Sequence, residues 1–179
     1  MRAACVSLSL LGVLGACVPD GEQAAQTNDA GPMVDAFVKL DAPPAKVTLV
    51  PTTRPALDQF LSEERYLDFA SESGLHQSEG THFGRVITFM NPLLVASLKA
   101  GNREHPVGAA AVKELYKGGQ TLVGWAVIVK VAPRSNGGEG YFWFETDGGR
   151  VLSDSVGQPV CAQCHSMGND FILTPFPLR

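Results

Sequence analysis

"GAAAVKELY" (residues 108–116), "LVGWAVIVKV" (122–131) and "YFWFE" (141–145) follow one another in the second half of the chain. Each run is short and rich in β-branched and aromatic residues, which is typical of β-strands. Gly118-Gly119 separates the first two runs, and "SNGGEG" separates the second from the third. Glycine-rich turns of this kind join antiparallel neighbours. The three runs therefore predict consecutive antiparallel strands of one sheet.

Two helices and one further strand are predicted before these runs. "TTRPALDQFLSEERYLDFASESG" predicts one helix, with Thr53 as its cap, Pro55 in its first turn and Gly74 as its end. Its apolar stripe consists of Leu57, Phe60, Leu61, Tyr66 and Leu67. "RVITFM" (85–90) predicts a strand, and Asn91-Pro92 opens a helix that ends at Gly101.

This order of elements favours an α+β fold, an antiparallel sheet with flanking helices. The run 122–131 is apolar on both faces. We therefore expect both faces of the sheet to be covered, and a second subunit is one candidate cover.

The N-terminus has the features of an export signal. Residues 3–14 are a twelve-residue apolar stretch, too short for a membrane-spanning helix, which needs about 20 residues. The stretch ends in "LGAC", which resembles a bacterial lipobox with Cys17 as the lipidated residue. We expect a signal peptide over 1–16, a lipidated linker over 17–50 and one domain over 51–179. An ordinary signal peptide with an incidental cysteine is the alternative.

The linker prediction rests on composition, because residues 18–50 are rich in Asp, Gly, Ala and Pro and lack a sustained period. Val18 follows the cysteine, so no aspartate suggests retention in the inner membrane. The expected location is the outer membrane, facing the periplasm or the cell surface, with lipid as the only anchor. A net charge of −4 and the lack of a basic tract argue against a nucleic-acid partner.

Only two of the four cysteines remain in the predicted domain, because Cys5 leaves with the signal and Cys17 takes lipid. Cys161-Ala162-Gln163-Cys164-His165 is the C-x-x-C-H pattern of covalent haem c attachment. In this pattern the two thiols bond the porphyrin vinyl groups and the histidine binds the iron. A zinc site would need a second pair of ligands, and a thioredoxin-like site would need a βαβ setting. A disulfide would not require His165.

The sixth iron position is expected to be open to a small molecule. Met167 lies too close to His165 in sequence to reach the opposite face of the ring. Met90, His76, His82 and His105 stay open as alternatives, although none stands in a setting that marks it as a ligand.

"VGAAAVKELY" together with "CAQCHSMGNDFILTPFPL" resembles the cytochrome P-460 family and its relative cytochrome c′-beta. The resemblance covers roughly residues 75–179. It rests on a V-K-E-L strand, a C-terminal C-x-x-C-H, a following Asp and a hydrophobic-Thr-x-Phe tail. It implies an antiparallel sheet with flanking helices and a homodimer. It also implies an enzyme that oxidises hydroxylamine, or a relative without the cross-link that binds nitric oxide.

The same resemblance suggests roles for further residues. Lys113 falls at the position where P-460 members bond the porphyrin edge, and Ala109, Ala111 and Leu115 share its face at a period of two. Asp170 or Asn169 is a candidate for a proton-accepting distal residue, with a structural cap as the alternative for Asp170. Arg85 is a candidate haem-pocket arginine. An electron-transfer cytochrome is a third functional hypothesis, with an unknown redox partner.

Overall fold

The computed structural model describes residues 49–82 and 84–179. The elements in chain order are α1 (Arg54–Ser62), β1 (Ala70–Ser71), β2 (His76–Gln77), β3 (Arg85–Met90), α2 (Pro92–Lys99), β4 (Ala110–Lys117), β5 (Thr121–Lys130), a 3-10 turn (Asn136–Gly138), β6 (Tyr141–Asp147), β7 (Arg150–Val156) and α3 (Pro159–His165). The predicted signal peptide, Cys17 and nearly all of the predicted linker lie outside the described residues. Among the described residues, no helix has the length and apolar character to cross a membrane.

The strands form one antiparallel sheet in the order β1-β3-β4-β5-β6-β7, and β2 also pairs with β3. The predicted α+β class with an antiparallel sheet is confirmed, and so are the strands at 85–90, 108–116, 122–131 and 141–145. Gly118 and Gly119 connect β4 to β5 and both have positive φ, the conformation in which glycine is favoured.

This chain covers both faces of its own sheet. On one face, α1 and the segment after it pack against the sheet in a core that includes Leu57, Phe60, Tyr66, Val112, Val127 and Phe144. On the other face, α2, α3 and the C-terminal tail pack around Met90, Ala111, Ile128, Trp143, Ala162 and Ile172. The strand 122–131 is apolar on both faces for this reason, so its pattern needs no second subunit.

The first predicted helix is too long. The structure ends α1 at Ser62 rather than near Gly74, because Glu64 adopts a φ of 54°, which is left-handed and breaks the helical backbone. Tyr66 is buried as predicted, whereas Leu67 is 49 % exposed and does not belong to the apolar stripe. Val50, which was placed in the linker, is buried in the core beside α1.

Three strands were not predicted. β1 and β2 have two residues each, and β7 carries "RVLSDSV", in which Ser153 is the only buried residue. Strand β7 pairs with β6 at the end of the sheet, and its pattern is polar enough to resemble a loop. Helix α3 packs against one face of the seven-stranded sheet, and the candidate site lies on this face.

Candidate functional site

Helix α3 carries the C-x-x-C-H run. Pro159 stands in its first turn, where its fixed φ suits a helix and its missing N–H costs no hydrogen bond. Cys161 and Cys164 are three residues apart and therefore lie on the same side of the helix. Both are free thiols, so the structure contains no disulfide between them. Burial raises the pKa of the Cys161 thiol, while Cys164 is exposed.

A close contact fixes α3 against the turn that precedes β6. A Cβ built on Gly138 would lie 2.4 Å from the Cβ of Ala162, so a side chain there would push the helix away. Ala162 is the buried residue of α3. The glycine-rich "SNGGEG" segment therefore joins β5 to β6 and also lets α3 approach the sheet closely.

A cavity of about 210 Å³ lies between α3, the sheet and the tail. It adjoins a larger cleft of about 820 Å³ that opens toward the segment 72–82. The larger cleft alone falls within the range of about 300–1,000 Å³ that is usual for cofactor and ligand sites. Residues that line both spaces are Thr81, His82, Thr88, Lys113, Cys164, His165, Leu173 and Thr174.

The His165 imidazole is held in one orientation. Its Nδ1–H donates a hydrogen bond of 2.8 Å to the backbone carbonyl of Phe171, and its ring lies 5.0 Å from the ring of Trp143. Burial lowers the pKa of His165, so the neutral ring is favoured. With the proton on Nδ1, the Nε2 lone pair remains for a metal, which is the arrangement that orients histidine ligands.

Lys113 points into the same cavity. On the neighbouring strands it stands directly opposite Thr88 and Ala126, and both of these residues line the cavity with it. Ala111, two residues earlier, also lines the cavity, in agreement with the predicted face. Burial lowers the pKa of Lys113, and the charges of Glu72 and Glu145 oppose this shift.

The sequence analysis did not identify Glu145, which is the carboxylate that lines the cavity. Glu145 ends the run "YFWFE", two residues after Trp143. Side chains two residues apart in a strand lie on the same face of the sheet, so this spacing could have indicated that Glu145 lines the cavity with Trp143. Glu145 accepts a hydrogen bond of 3.2 Å from Nδ1–H of His82. The His82 ring lies 6.3 Å from the His165 ring, measured between centroids.

Asp170 lies outside the cavity lining. Its side chain is 3 % exposed and accepts hydrogen bonds from Lys130 Nζ, Tyr141 Oη, the Ser135 hydroxyl and the backbone N–H of His105. Burial alone would raise the pKa of Asp170, but these hydrogen bonds outweigh it and keep the pKa below 3.8. All four hydrogen bonds of the Asp170 carboxylate therefore go to neighbouring residues of the fold. This placement favours the predicted role as a structural cap over a role as proton acceptor at the cavity.

Two other predicted residues also lie outside the cavity lining. Asn169 donates from its amide to the carbonyl of Asn102, and its own carbonyl lies 3.2 Å from His105 Nε2. Arg85 donates to the carbonyl of Leu75 and pairs with Tyr116 across the sheet. The structure therefore brings Cys161, Cys164, His165 and Lys113 together at one cavity, and leaves Asn169, Asp170 and Arg85 outside it.

Of the four alternatives for a second iron ligand, only His82 approaches His165. Met90 is fully buried in the core, and His105 uses both ring nitrogens in contacts with Ser97 and Asn169. His76 lines the outer cleft, and its two nitrogens contact Gln77 and Glu72.

No protein-family model and no curated protein matches the chain. Any cofactor must therefore be inferred from the chemistry of the residues at the cavity. Among residues 49–82 and 84–179, no group of three or more His, Cys, Asp or Glu side chains could hold a metal ion. A haem needs no such group, because the porphyrin supplies four of the iron ligands. Two free thiols on one side of a helix, a neutral histidine with Nε2 available and an apolar cavity beside them fit a covalent haem.

Proposed function

We propose that the chain is a c-type haem protein that acts on a small nitrogen compound, either hydroxylamine or nitric oxide. The observation that carries this proposal is the position of α3, which sets Cys161, Cys164 and His165 along one cavity together with Lys113. The likeness of the V-K-E-L strand and the C-terminal segment to the cytochrome P-460 family supports the choice of substrate class.

Each cavity residue has a part in this proposal. The Cys161 and Cys164 thiols would bond the porphyrin, His165 Nε2 would bind the iron, and Lys113 would face the ring edge. The haem, when bound, supplies the redox chemistry. Glu145 rather than Asp170 would accept protons from a substrate, because its carboxylate lines the cavity and the Asp170 carboxylate does not.

Covalent attachment tests the proposal directly. The protein, exported together with a haem-maturation system, should keep its haem through denaturation and acid extraction and should stain for haem on a gel. Cys161→Ala combined with Cys164→Ala should remove this haem. Gln163→Ala, at an exposed position in the same helix that lines neither cavity, is the matched control and should keep it. A wild-type protein with zinc or with no cofactor would contradict the proposal.

The alternative is a gas-binding module of the cytochrome c′-beta kind that does not turn over. The largely apolar cavity wall, which includes Ala111, Ala126, Ile128 and Phe171, favours this alternative because small neutral gases need few polar partners. Steady-state assays with hydroxylamine and an artificial electron acceptor separate the two functions. Nitric oxide binding without hydroxylamine turnover would favour the module.

A second alternative is an electron-transfer cytochrome, and the proximity of His82 to His165 favours it. Such a protein would exchange electrons with a redox partner and would not turn over hydroxylamine. We further propose that the protein is exported, tethered through lipid on Cys17 to the outer membrane, and homodimeric.

A further inference from the structure

Two histidines that line the same cavity make similar hydrogen bonds through Nδ1. His165 donates from Nδ1 to the carbonyl of Phe171, and His82 donates from Nδ1 to Glu145. In the neutral form of each ring, the proton is therefore on Nδ1 and the lone pair is on Nε2. No hydrogen bond to either Nε2 is found within residues 49–82 and 84–179.

The separation of the two rings matches that of two ligands on one metal ion. Their centroids are 6.3 Å apart, and their planes are inclined by 71°. A metal ion binds an imidazole nitrogen at about 2.0–2.1 Å, so two imidazoles on opposite sides of one ion have centroids roughly 6 Å apart. Both rings line the same cavity.

We propose that His82 Nε2 is the second axial ligand of the haem iron, opposite His165. This proposal rests on the covalent haem proposed above, and it replaces the expected open sixth position with a position that the protein itself fills.

The partner of each histidine supports a ligand role. A carboxylate or a backbone carbonyl that accepts the second ring proton orients a histidine ligand and increases its basicity. Glu145 would do this for His82 and the Phe171 carbonyl for His165. The side chains of His82 and Glu145 are 17 % and 22 % exposed, so their hydrogen bond is partly shielded from water.

His82 filling the sixth position changes how an external ligand enters. Nitric oxide, carbon monoxide or hydroxylamine could bind the iron only after the bond from iron to His82 Nε2 breaks. The apparent affinity then falls by the fraction of molecules in which His82 has left. We expect the protein to discriminate against weak ligands and to bind strong ones slowly.

Optical and magnetic spectra of the purified haem protein test the proposal. Wild type should show a six-coordinate, low-spin haem in both oxidation states. His82→Ala should convert it to a high-spin or water-ligated form, and added imidazole should restore the low-spin spectrum. Carbon monoxide should bind the ferrous variant at least about tenfold faster than wild type, because no internal ligand has to leave.

His76→Ala is the matched control, since His76 also lines the cleft and contacts a glutamate. This variant should keep the wild-type spectrum and carbon monoxide rate. A high-spin spectrum in wild type, or carbon monoxide rates that agree in wild type and His82→Ala, would overturn the His82 ligand while leaving covalent haem in place. A chain that carries no haem fails the gel stain first, so the two proposals fail separately.

Discussion

Glu145 and Asp170 are two carboxylates with different surroundings. Asp170 is almost fully buried and bonded to four donors, including the Lys130 ammonium. Glu145 lines the cavity and has His82 as its hydrogen-bond partner. A proton acceptor must reach the substrate, so Glu145 is the residue we expect to serve hydroxylamine oxidation.

Glu145→Gln tests this role. The amide keeps the shape and the oxygen that His82 needs, but it cannot take a proton. We expect hydroxylamine turnover to fall by about 10²-fold, the scale of losing a general base, while nitric oxide binding persists. Steady-state kinetics and gas titration measure the two effects. Glu139→Gln, an exposed position outside the cavity lining, is the control, and equal turnover in the two variants would count against Glu145.

Lys113 lies where its amine could reach the edge of the proposed haem, because it lines the cavity beside His165. The lowered pKa of Lys113 increases the fraction of its amine that is neutral and nucleophilic. The Lys113 side chain lines the cavity together with Ala111 and Ala126. We expect a bond from its Nζ to the porphyrin edge, formed with the loss of two hydrogens to an external two-electron oxidant such as a peroxide. The mature mass should then be lower than that of chain plus thioether-linked haem, by the hydrogens lost in forming the bond.

The position of the bond can be read from peptides and spectra. A tryptic haem peptide should contain residues near both Lys113 and Cys161, and Lys113→Ala should restore an ordinary c-type spectrum without losing the haem. Lys117→Ala, at the exposed end of the same strand, should change neither. Identical haem-peptide maps in wild type and Lys113→Ala would assign an unbonded lysine.

The residues within the motifs could be placed from the sequence, and the ones outside them could not. The C-x-x-C-H motif identified Cys161, Cys164 and His165, although the helix that carries them was not predicted, and a period of two put Lys113 beside Ala111. Asp170 gave no such indication, because Lys130, Ser135 and Tyr141 are 40, 35 and 29 residues away from it. Contacts at that separation depend on the folded sheet.

At the scale of elements, the turn after α3 couples the C-terminal segment to the sheet. Asp170 and Phe171 have φ values of 45° and 70°, which are uncommon outside glycine, and the backbones of Asn169 and Ile172 bond each other across the turn. The buried Lys130–Asp170 ion pair, at 3.1 Å, holds this turn in place. This turn also positions the backbone carbonyl of Phe171, which accepts the hydrogen bond from His165 Nδ1–H.

Asp170→Asn should therefore destabilise the protein strongly. Asparagine tolerates the positive φ, so the change removes the charge and leaves Lys130 buried without its ion-pair partner. We expect a loss of about 3–5 kcal/mol in the free energy of unfolding, measured by urea titration. Asp147→Asn breaks the exposed pair with Lys117 and should cost about 0–1 kcal/mol. If both variants lose a similar free energy of unfolding, the buried ion pair contributes no more to stability than the exposed one.

The acid dependence of this turn has a definite sign. The pKa of Asp170 is held below 3.8 in the folded protein. Its contribution to stability is therefore complete above the unfolded value and is lost as the pH falls through the folded one. Asp170→Asn should remove this part of acid unfolding, in addition to lowering stability at neutral pH.

Element boundaries show where local pattern stops being sufficient. The residues after Ser62 continue the helical period of α1, yet the chain turns at Glu64 so that Tyr66 can donate to Glu114 at 2.6 Å and Phe69 can join the core. Most residues of strand β7 are exposed, so its composition does not indicate a strand. It forms a strand because its backbone pairs with β6. Tertiary contacts outweighed local preference in both places.

At the scale of the whole molecule, the buried His105 contributes to the response to mild acid. Burial lowers the pKa of His105 below 6.5. The folded protein therefore binds this proton at a lower pH than the unfolded chain does. Below pH 6.5 the unfolded chain holds more protons, so the free energy of unfolding falls as the pH falls.

His105→Gln should reduce this slope between about pH 7 and pH 5, because the titrating group is gone. The slope, rather than the absolute stability, is the quantity to compare, since the substitution also disturbs the contacts with Ser97 and Asn169. Equal slopes in wild type and His105→Gln would contradict the prediction.

The N-terminal part of the chain contains the predicted membrane tether. The "LGAC" run stands more than thirty residues before the first described residue. If Cys17 carries lipid, membrane attachment depends on this one residue, because acyl chains alone would hold the protein.

Cys17→Ala should release the protein into the soluble fraction or stop it as an unprocessed precursor. Cys5→Ala, inside the predicted signal peptide, is the control and should leave the mature product unchanged. Membrane fractionation and the intact mass of the mature protein measure this. Membrane association and mature mass unaffected by Cys17→Ala would leave an ordinary signal peptide and require another means of attachment.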